Sequence, residues 1–346
     1  MDKLLTVVVP AYNAEAYLRD NLSSLCIEGA LEDTEVLVIN DGSTDATHDI
    51  ATEYAERFPD TVRVIDKENA GHGSGINRGI EEARGQYFKV VDADDWVEKE
   101  PYLKLLRATR EQATDIVASG FYWAYDDGSG HKDSFRRKAE FKEPFRGVEY
   151  GRAYDFDDIA HKLYIKMHSM TIRTSILKGT LRQGRRIDEH CYYVDAEYIL
   201  YPIPSVQTVS FIEDFVYMYR IGRQGQSVSP DKMRQNAENY DRVLATLLSF
   251  HEACQSGSIA CSQQKLRYID QVTARIVAGK IKILLSMPRS REAKSRLKSF
   301  DQGLRRDYPA IYDANQNRAV ELLRKSRYGL YGVAAEMLKL KCGRTV

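Results

Sequence analysis

A short acidic run, Asp92-Ala93-Asp94-Asp95, directly follows the apolar pair Val90-Val91. Side chains alternate along an extended segment, so Asp92 and Asp94 are expected to face the same way. Two converging carboxylates are hard oxygen ligands suited to Mn2+ or Mg2+, whose remaining positions phosphate oxygens and water can fill. Asp92 and Asp94 are therefore the candidate metal ligands. An isolated run of this kind reads equally well as a solvated turn, so the surrounding elements have to decide.

Those elements alternate between strand and helix. Leu4 to Val9, Glu35 to Ile39, Val62 to Ile65 and Tyr87 to Val91 are short apolar runs that read as buried strands. Pro10 ends the first run, and Asn40-Asp41-Gly42-Ser43 closes the second with a turn. Helical spacing fills the gaps over about 14–25, 45–58 and from the glycine-rich stretch 71–75 to Arg84, with Ser43 or Thr44 as the expected cap of the second helix. This alternation predicts an α/β fold with a doubly wound, mostly parallel sheet. Ligands of such sheets sit beyond the carboxyl ends of the strands. Tyr12-Asn13, Asp41 and the acidic run each follow a strand, so all are expected at one crevice. Residues 101–230 are less regular and rich in aromatic side chains, with a hairpin turn expected at Asp126-Asp127-Gly128-Ser129-Gly130. Residues 231–346 are patterned almost throughout as helix, with breaks at Pro288 and Pro309.

Composition narrows the function classes. The 50 Lys and Arg balance the 50 Asp and Glu, which argues against a nucleic-acid partner held by overall charge. No apolar run approaches the ~18–20 residues of a membrane span. The start of the chain lacks the pattern of a secretory leader, and the five cysteines form no CxxC pair, so a reducing cytoplasm is expected. Charge is unevenly placed. Residues 1–100 hold 22 Asp and Glu against 9 Lys and Arg, whereas residues 286–346 hold 14 Lys and Arg against 6 Asp and Glu. The basic end reads as a packed helical subdomain with a solvated face. It also fits peripheral docking on anionic lipid at the inner membrane face, or a homo-oligomer formed through the apolar stretch Leu330 to Leu340.

Four segments in order carry a resemblance: Val-Val-Val-Pro-Ala-Tyr-Asn (7–13), Val-Ile-Asn-Asp-Gly-Ser-Thr-Asp (38–45), Asn-Ala-Gly-His-Gly-Ser-Gly-Ile-Asn-Arg-Gly-Ile (69–80) and Val-Val-Asp-Ala-Asp-Asp (90–95). Together they resemble the family 2 glycosyltransferases of bacterial polysaccharide type, which have the GT-A fold. The resemblance covers about residues 4–100, matches more loosely over the middle third and does not reach the last third; it implies a doubly wound mixed sheet, and the helix-patterned end is expected to follow it as a C-terminal helical subdomain. The expected division is a nucleotide-sugar half at 1–120, an acceptor and catalytic part at 121–230 and, from helix patterning and charge, a helical basic part at 231–346. By the same resemblance Asp41 would accept a hydrogen bond from the ring N–H of uracil, selecting a UDP-sugar. Pro10, Ala11 and Tyr12 would wall the base. Asn13, Asn69, Gly71, His72, Asn77 and Ala93 fall on the same donor-binding segments. Asp92 and Asp94 would address the ribose and a metal bridging the diphosphate. The family's usual Arg-Asn pair is Ile76-Asn77 in this chain, with Arg78 one position later, and His72 is the alternative phosphate contact.

The family places its catalytic base at the start of a later helix. Asp195 in Tyr193-Val194-Asp195-Ala196-Glu197-Tyr198 is chosen, with Glu197 as its orienter. Asp188 and Glu189 are the next candidates. Glu213-Asp214 spells the usual acidic pair but lies beside a strand-like run that leads to Tyr219-Arg220. A helix-start dipole is expected to lower the pKa of Asp195 and keep it ionised. One base and direct displacement would invert the anomeric centre, with a hydroxyl of a glycan or lipid-linked molecule as acceptor. Arg223, Gln226 and Ser227 would close over the diphosphate as a late loop. His168 is a further residue that could reach the site. A sugar nucleotidyltransferase would need a glycine-rich, basic loop after the first strand, which Pro10-Ala11-Tyr12-Asn13 is not. A non-catalytic nucleotide-sugar-binding protein is the remaining alternative.

Overall fold

A computed structural model describes residues 3–126, 134–139, 145, 147–222 and 230–342. The chain forms two compact units, Met1–Gln224 and Gly225–Val346.

The first unit is organised by one mixed sheet. Its first strand β1 (Leu5–Ala11), β2 (Thr34–Asp41), β3 (Val62–Lys67) and β4 (Tyr87–Val90) are mutually parallel. The helices α1 (Leu18–Leu25), α2 (Thr47–Arg57) and α3 (His72–Glu82) connect them. Every residue of β1 and β2 is buried, as expected for strands covered on both faces. Beyond β4 come β9 (Met170–Arg173), β6 (Ile116–Tyr125), β10 (Thr208–Ile221) and the short β5 (Trp96–Val97). The sheet order is β3-β2-β1-β4-β9-β6-β10-β5, with β9 antiparallel to both neighbours. The antiparallel β7 (Arg136–Ala139) and β8 (Ala153–Asp155) pair with β6 and β10. β6 and β7 are an antiparallel pair, and residues 127–130 of the turn expected at 126–130 lie outside the described residues.

The glycines of α3 have a packing role. A Cβ on Gly79 would come within 2.5 Å of Val8, so the helix lies almost directly on β1. A Cβ on Gly73 would come within 2.2 Å of the Asp188 carbonyl, so this turn of α3 also supports the 187–190 segment. The second helix starts differently from expectation. Its cap position is Ala46, without a side-chain hydrogen bond. Ser43 instead accepts a hydrogen bond from the Asn13 N–H, and the Asn13 side chain accepts one from the Thr44 N–H. The two loops that follow β1 and β2 are thereby stitched together.

The second unit is helical among its described residues. It contains α8 (Pro230–Gln235), α9 (Ala237–Gln255), α10 (Gln263–Ser286), α11 (Arg291–Asp307), α12 (Pro309–Asp313), α13 (Arg318–Lys325) and α14 (Tyr331–Cys342). The breaks fall where the prolines require, because Pro288 follows the end of α10 and Pro309 opens α12. Leu244, Val277, Ile281, Leu297, Leu304 and Leu323 belong to its apolar core. No helix of the described residues is long and apolar enough to cross a membrane.

Candidate active site

The acidic run is a turn and not a continued strand. β4 ends at Val90, and the Asp95 N–H donates to the Asp92 carbonyl at 2.9 Å. Strand alternation therefore does not set the directions of Asp92 and Asp94, contrary to the sequence expectation. Long-range bonds hold the turn instead. Asn21 of α1 donates to the carbonyls of Asp92 and Asp95, both at 3.0 Å. From β10, the Tyr217 hydroxyl donates to the Asp95 carboxylate at 2.6 Å and accepts from the Asp92 N–H at 3.1 Å. The Arg220 backbone N–H donates to the same carboxylate at 2.7 Å, and its guanidinium donates to the Asp94 carbonyl at 2.9 Å. That guanidinium is buried over the rings of Tyr17, Trp96 and Phe135 and is paired with Asp126 and Asp20.

Asp92 and Asp94 remain partly exposed, and Asp95 is buried. The Asp95 carboxyl is pushed well above the usual carboxylate range, first by burial and then by the charges of Asp94 and Asp92. His72, the first residue of α3, reaches across to this turn, and its Nε2 is 2.7 Å from Asp92 Oδ1. Burial opposes a charge on His72, but the charge and hydrogen bond of Asp92, with Asp195 and Asp94 behind them, outweigh it and raise the imidazole to about 9.

Asp195 opens α7 (Asp195–Leu200) and is near enough for His72 and Asp92 to influence its titration. Its pKa is raised and not lowered. Burial is the largest cause, and the opposing charge of His72 does not cancel it. The expected effect of the helix start loses here to desolvation. Glu197 is fully buried and accepts from the Asp188 N–H at 2.7 Å, so it braces the loop before α7. Asn77 does the same from the other side. Its amide bonds both the N–H and the carbonyl of Ile187, at 3.0 and 2.8 Å, and also reaches Glu189. Asn77 is thus committed to the 187–189 segment and does not face the crevice as a free donor. Arg78 is exposed and paired with Glu81 and Glu82. Asp214 of the rejected acidic pair is bound to Lys104.

Asp41, at the end of β2, has several partners within the chain. Its carboxylate accepts from Lys67 at 2.5 Å, from the Ala70 N–H at 3.0 Å and from the Gly71 N–H at 2.8 Å. It orders the glycine loop directly, and Asn69 adds a bond to its carbonyl. Pro10 and Ala11 are buried, whereas the Tyr12 ring is 55% exposed and offers the contact area on that wall. Arg223, Gln226 and Ser227 lie outside the described residues.

His168 has more weight than its sequence context gave it. It is buried against Phe121, Tyr217 and Tyr219, and burial pushes its pKa down to about 3, so the ring is neutral. Its Nδ1 is buried without a hydrogen-bond partner among the described residues. One ring nitrogen of His168 and one oxygen each from Asp92 and Asp95 lie within 4.8 Å of one another. A neutral imidazole beside crowded carboxylates suits a divalent cation, which would relieve the repulsion among Asp92, Asp94 and Asp95. Asp94 is outside that set of three but shares the turn. Asp95, and not His168, is the member of this set that the sequence reading left out as a candidate site residue.

The family model for Glycosyl transferase family 2 matches residues 6–174, the span that holds the sheet, the glycine loop and the acidic turn. Residues 6–174 form a family 2 glycosyltransferase domain of GT-A type. EpsH of Bacillus subtilis is 29% identical to the chain over 229 residues, which is 63% of this chain and 60% of EpsH. Glycosyltransferase GlyA of Streptococcus pneumoniae is 38% identical over 130 residues, 38% of this chain and 18% of GlyA. The chain thus spans less than two thirds of these relatives. The fold is also that of S. aureus TarS 1–349 in complex with UDP-GlcNAc, with a TM-score of 0.55 and 18% identity over 93% of this chain and 92% of that one. The family 2 match stops ahead of α7 and does not include Asp195.

Proposed function

We propose that the chain is an inverting glycosyltransferase that moves a hexosyl or N-acetylhexosaminyl group from a UDP-sugar to a hydroxyl of a glycan or lipid-linked acceptor. The observation that carries the reading is the meeting of His72, Asp92 and Asp195 at the end of β4 and the start of α3. A basic group for the diphosphate, acidic groups for a cation and a carboxylate base then share one crevice. Residues 1–120 would bind the nucleotide-sugar, 121–230 would hold the acceptor, and 231–346 would be a separate helical part.

In this reading Tyr12 lies against the uracil ring, and Asp41 shapes the loop that receives the base. Asp92, Asp95 and His168, with Asp94 on the same turn, would hold Mn2+ or Mg2+, which when bound neutralises charge on the departing diphosphate. His72 carries its proton near neutral pH and adds positive charge at the same place. The acceptor oxygen attacks the anomeric carbon and forms the new C–O bond. The bond from that carbon to the diphosphate oxygen breaks, and its electron pair leaves with the diphosphate. Asp195 takes the acceptor hydroxyl proton, and its raised pKa makes it a better proton acceptor than an exposed aspartate. Single displacement inverts the centre. A panel of UDP-sugars with Mn2+ and a mixture of glycan acceptors, scored by UDP release, tests the reading. Acceptor-dependent release that Asp195→Asn removes is expected, whereas release unaffected by that change would reject Asp195 as base.

A further inference from the structure

The last helix of the second unit is apolar on two sides. Tyr331 and Ala335 are buried against the helical core and Leu338 packs on it. Leu330, just ahead of α14, with Val333 and Met337 on it, follows a helical spacing that gathers them on another face, where they are 42%, 55% and 59% exposed. On α13, Leu322 is 58% exposed, with Arg318 and Lys325 one turn to either side and also exposed. A helix that is apolar around most of its circumference is normally covered on both sides. Large exposed side chains gathered this way mark a contact surface.

The surrounding charge identifies what covers this face. Residues 286–346 carry 14 Lys and Arg against 6 Asp and Glu; Arg324 pairs with the buried Asp301, and Arg289, Arg306 and Lys325 pair with the exposed Glu336, Asp307 and Glu321, so the excess positive charge outlasts these pairs. A two-fold contact with a second copy would set this excess positive charge against itself. A bilayer rich in anionic lipid offers the opposite charge and an apolar layer just beneath it. We infer that the exposed face formed by Leu330, Val333 and Met337 docks on an anionic membrane surface, with basic residues of the adjoining α13, Arg318 among them, at the headgroup level. No helix crosses the membrane in this arrangement. The inference is independent of the transfer chemistry.

Co-sedimentation of the full chain with vesicles tests it, using phosphatidylglycerol–phosphatidylcholine mixtures against pure phosphatidylcholine. Binding to the anionic vesicles is expected, weakened at high salt because the charge contribution is screened. Replacing Leu330, Val333 and Met337 together by Gln should lower that binding about tenfold or more. These side chains are exposed, so the melting temperature should be unchanged. Arg318→Gln with Lys325→Gln should weaken binding and flatten its salt dependence. Equal binding to neutral vesicles, or no loss in the triple variant, would overturn the inference. So would sedimentation analysis that finds a dimer dissociated by the triple variant, which would make the face a self-interface.

Discussion

The His72 imidazole is held 2.7 Å from the Asp92 carboxylate, joining the first turn of α3 to the acidic turn after β4. The pair fixes a positive charge beside the acidic turn before any ligand arrives. It also has a consequence for stability. The folded-state pKa of His72, about 9, lies above its ordinary value of 6.5. The stabilisation from charging His72 is therefore complete below about pH 6.5 and is lost as pH rises through about 9. Unfolding in denaturant, with chelator present, should show His72→Gln least stable relative to the parent near pH 6. The gap should close by pH 10, and a gap that widens with pH would contradict the pairing.

Asp195 should control the rising limb of the pH–rate profile. Burial raises its pKa, and His72 partly offsets this. The limb is then expected above the ordinary carboxylate range, and His72→Gln should move it further up. Asp195→Asn should lower kcat by about 10²- to 10⁴-fold while leaving UDP binding intact. Steady-state rates from pH 4 to 8 measure both effects.

Gly73 is predicted to be intolerant of any side chain. A Cβ there meets the Asp188 carbonyl at 2.2 Å, a backbone atom that no rotamer change can move. Gly73→Ala should cost about 1–3 kcal/mol of stability. It should also displace the 187–190 segment that leads into α7 and reduce turnover. Thermal melts and rates of this variant beside Gly303→Ala, a helical position with nothing nearby, separate the clash from a general glycine effect.

The parallel strands and the positions of the motifs were legible because each apolar run is short, bounded and followed by a polar turn. What the sequence concealed lies in long-range partners. Strand alternation suggested the directions of Asp92 and Asp94, yet Asn21, Tyr217 and Arg220 fold that segment into a turn. The bonds that Asp41 makes to Lys67 and the Gly71 N–H were not legible, because those partners are contributed by the end of the next strand and the loop after it. Asn77 is drawn to Ile187, 110 residues away. The raised pKa of Asp195 follows from burial, which helix position alone cannot supply. Arg220 lay within a recognisable Tyr-Arg segment, but nothing local indicates that its main chain and side chain brace the acidic turn.

The most direct test of the central claim is a calorimetric titration of UDP into the protein, with Mn2+ and then with chelator. The account predicts binding with Mn2+, a large loss of affinity in chelator and a similar loss in a variant carrying both Asp92→Asn and Asp94→Asn. UDP binding that is indifferent to the metal and to those two carboxylates, or no binding under any condition, would contradict it.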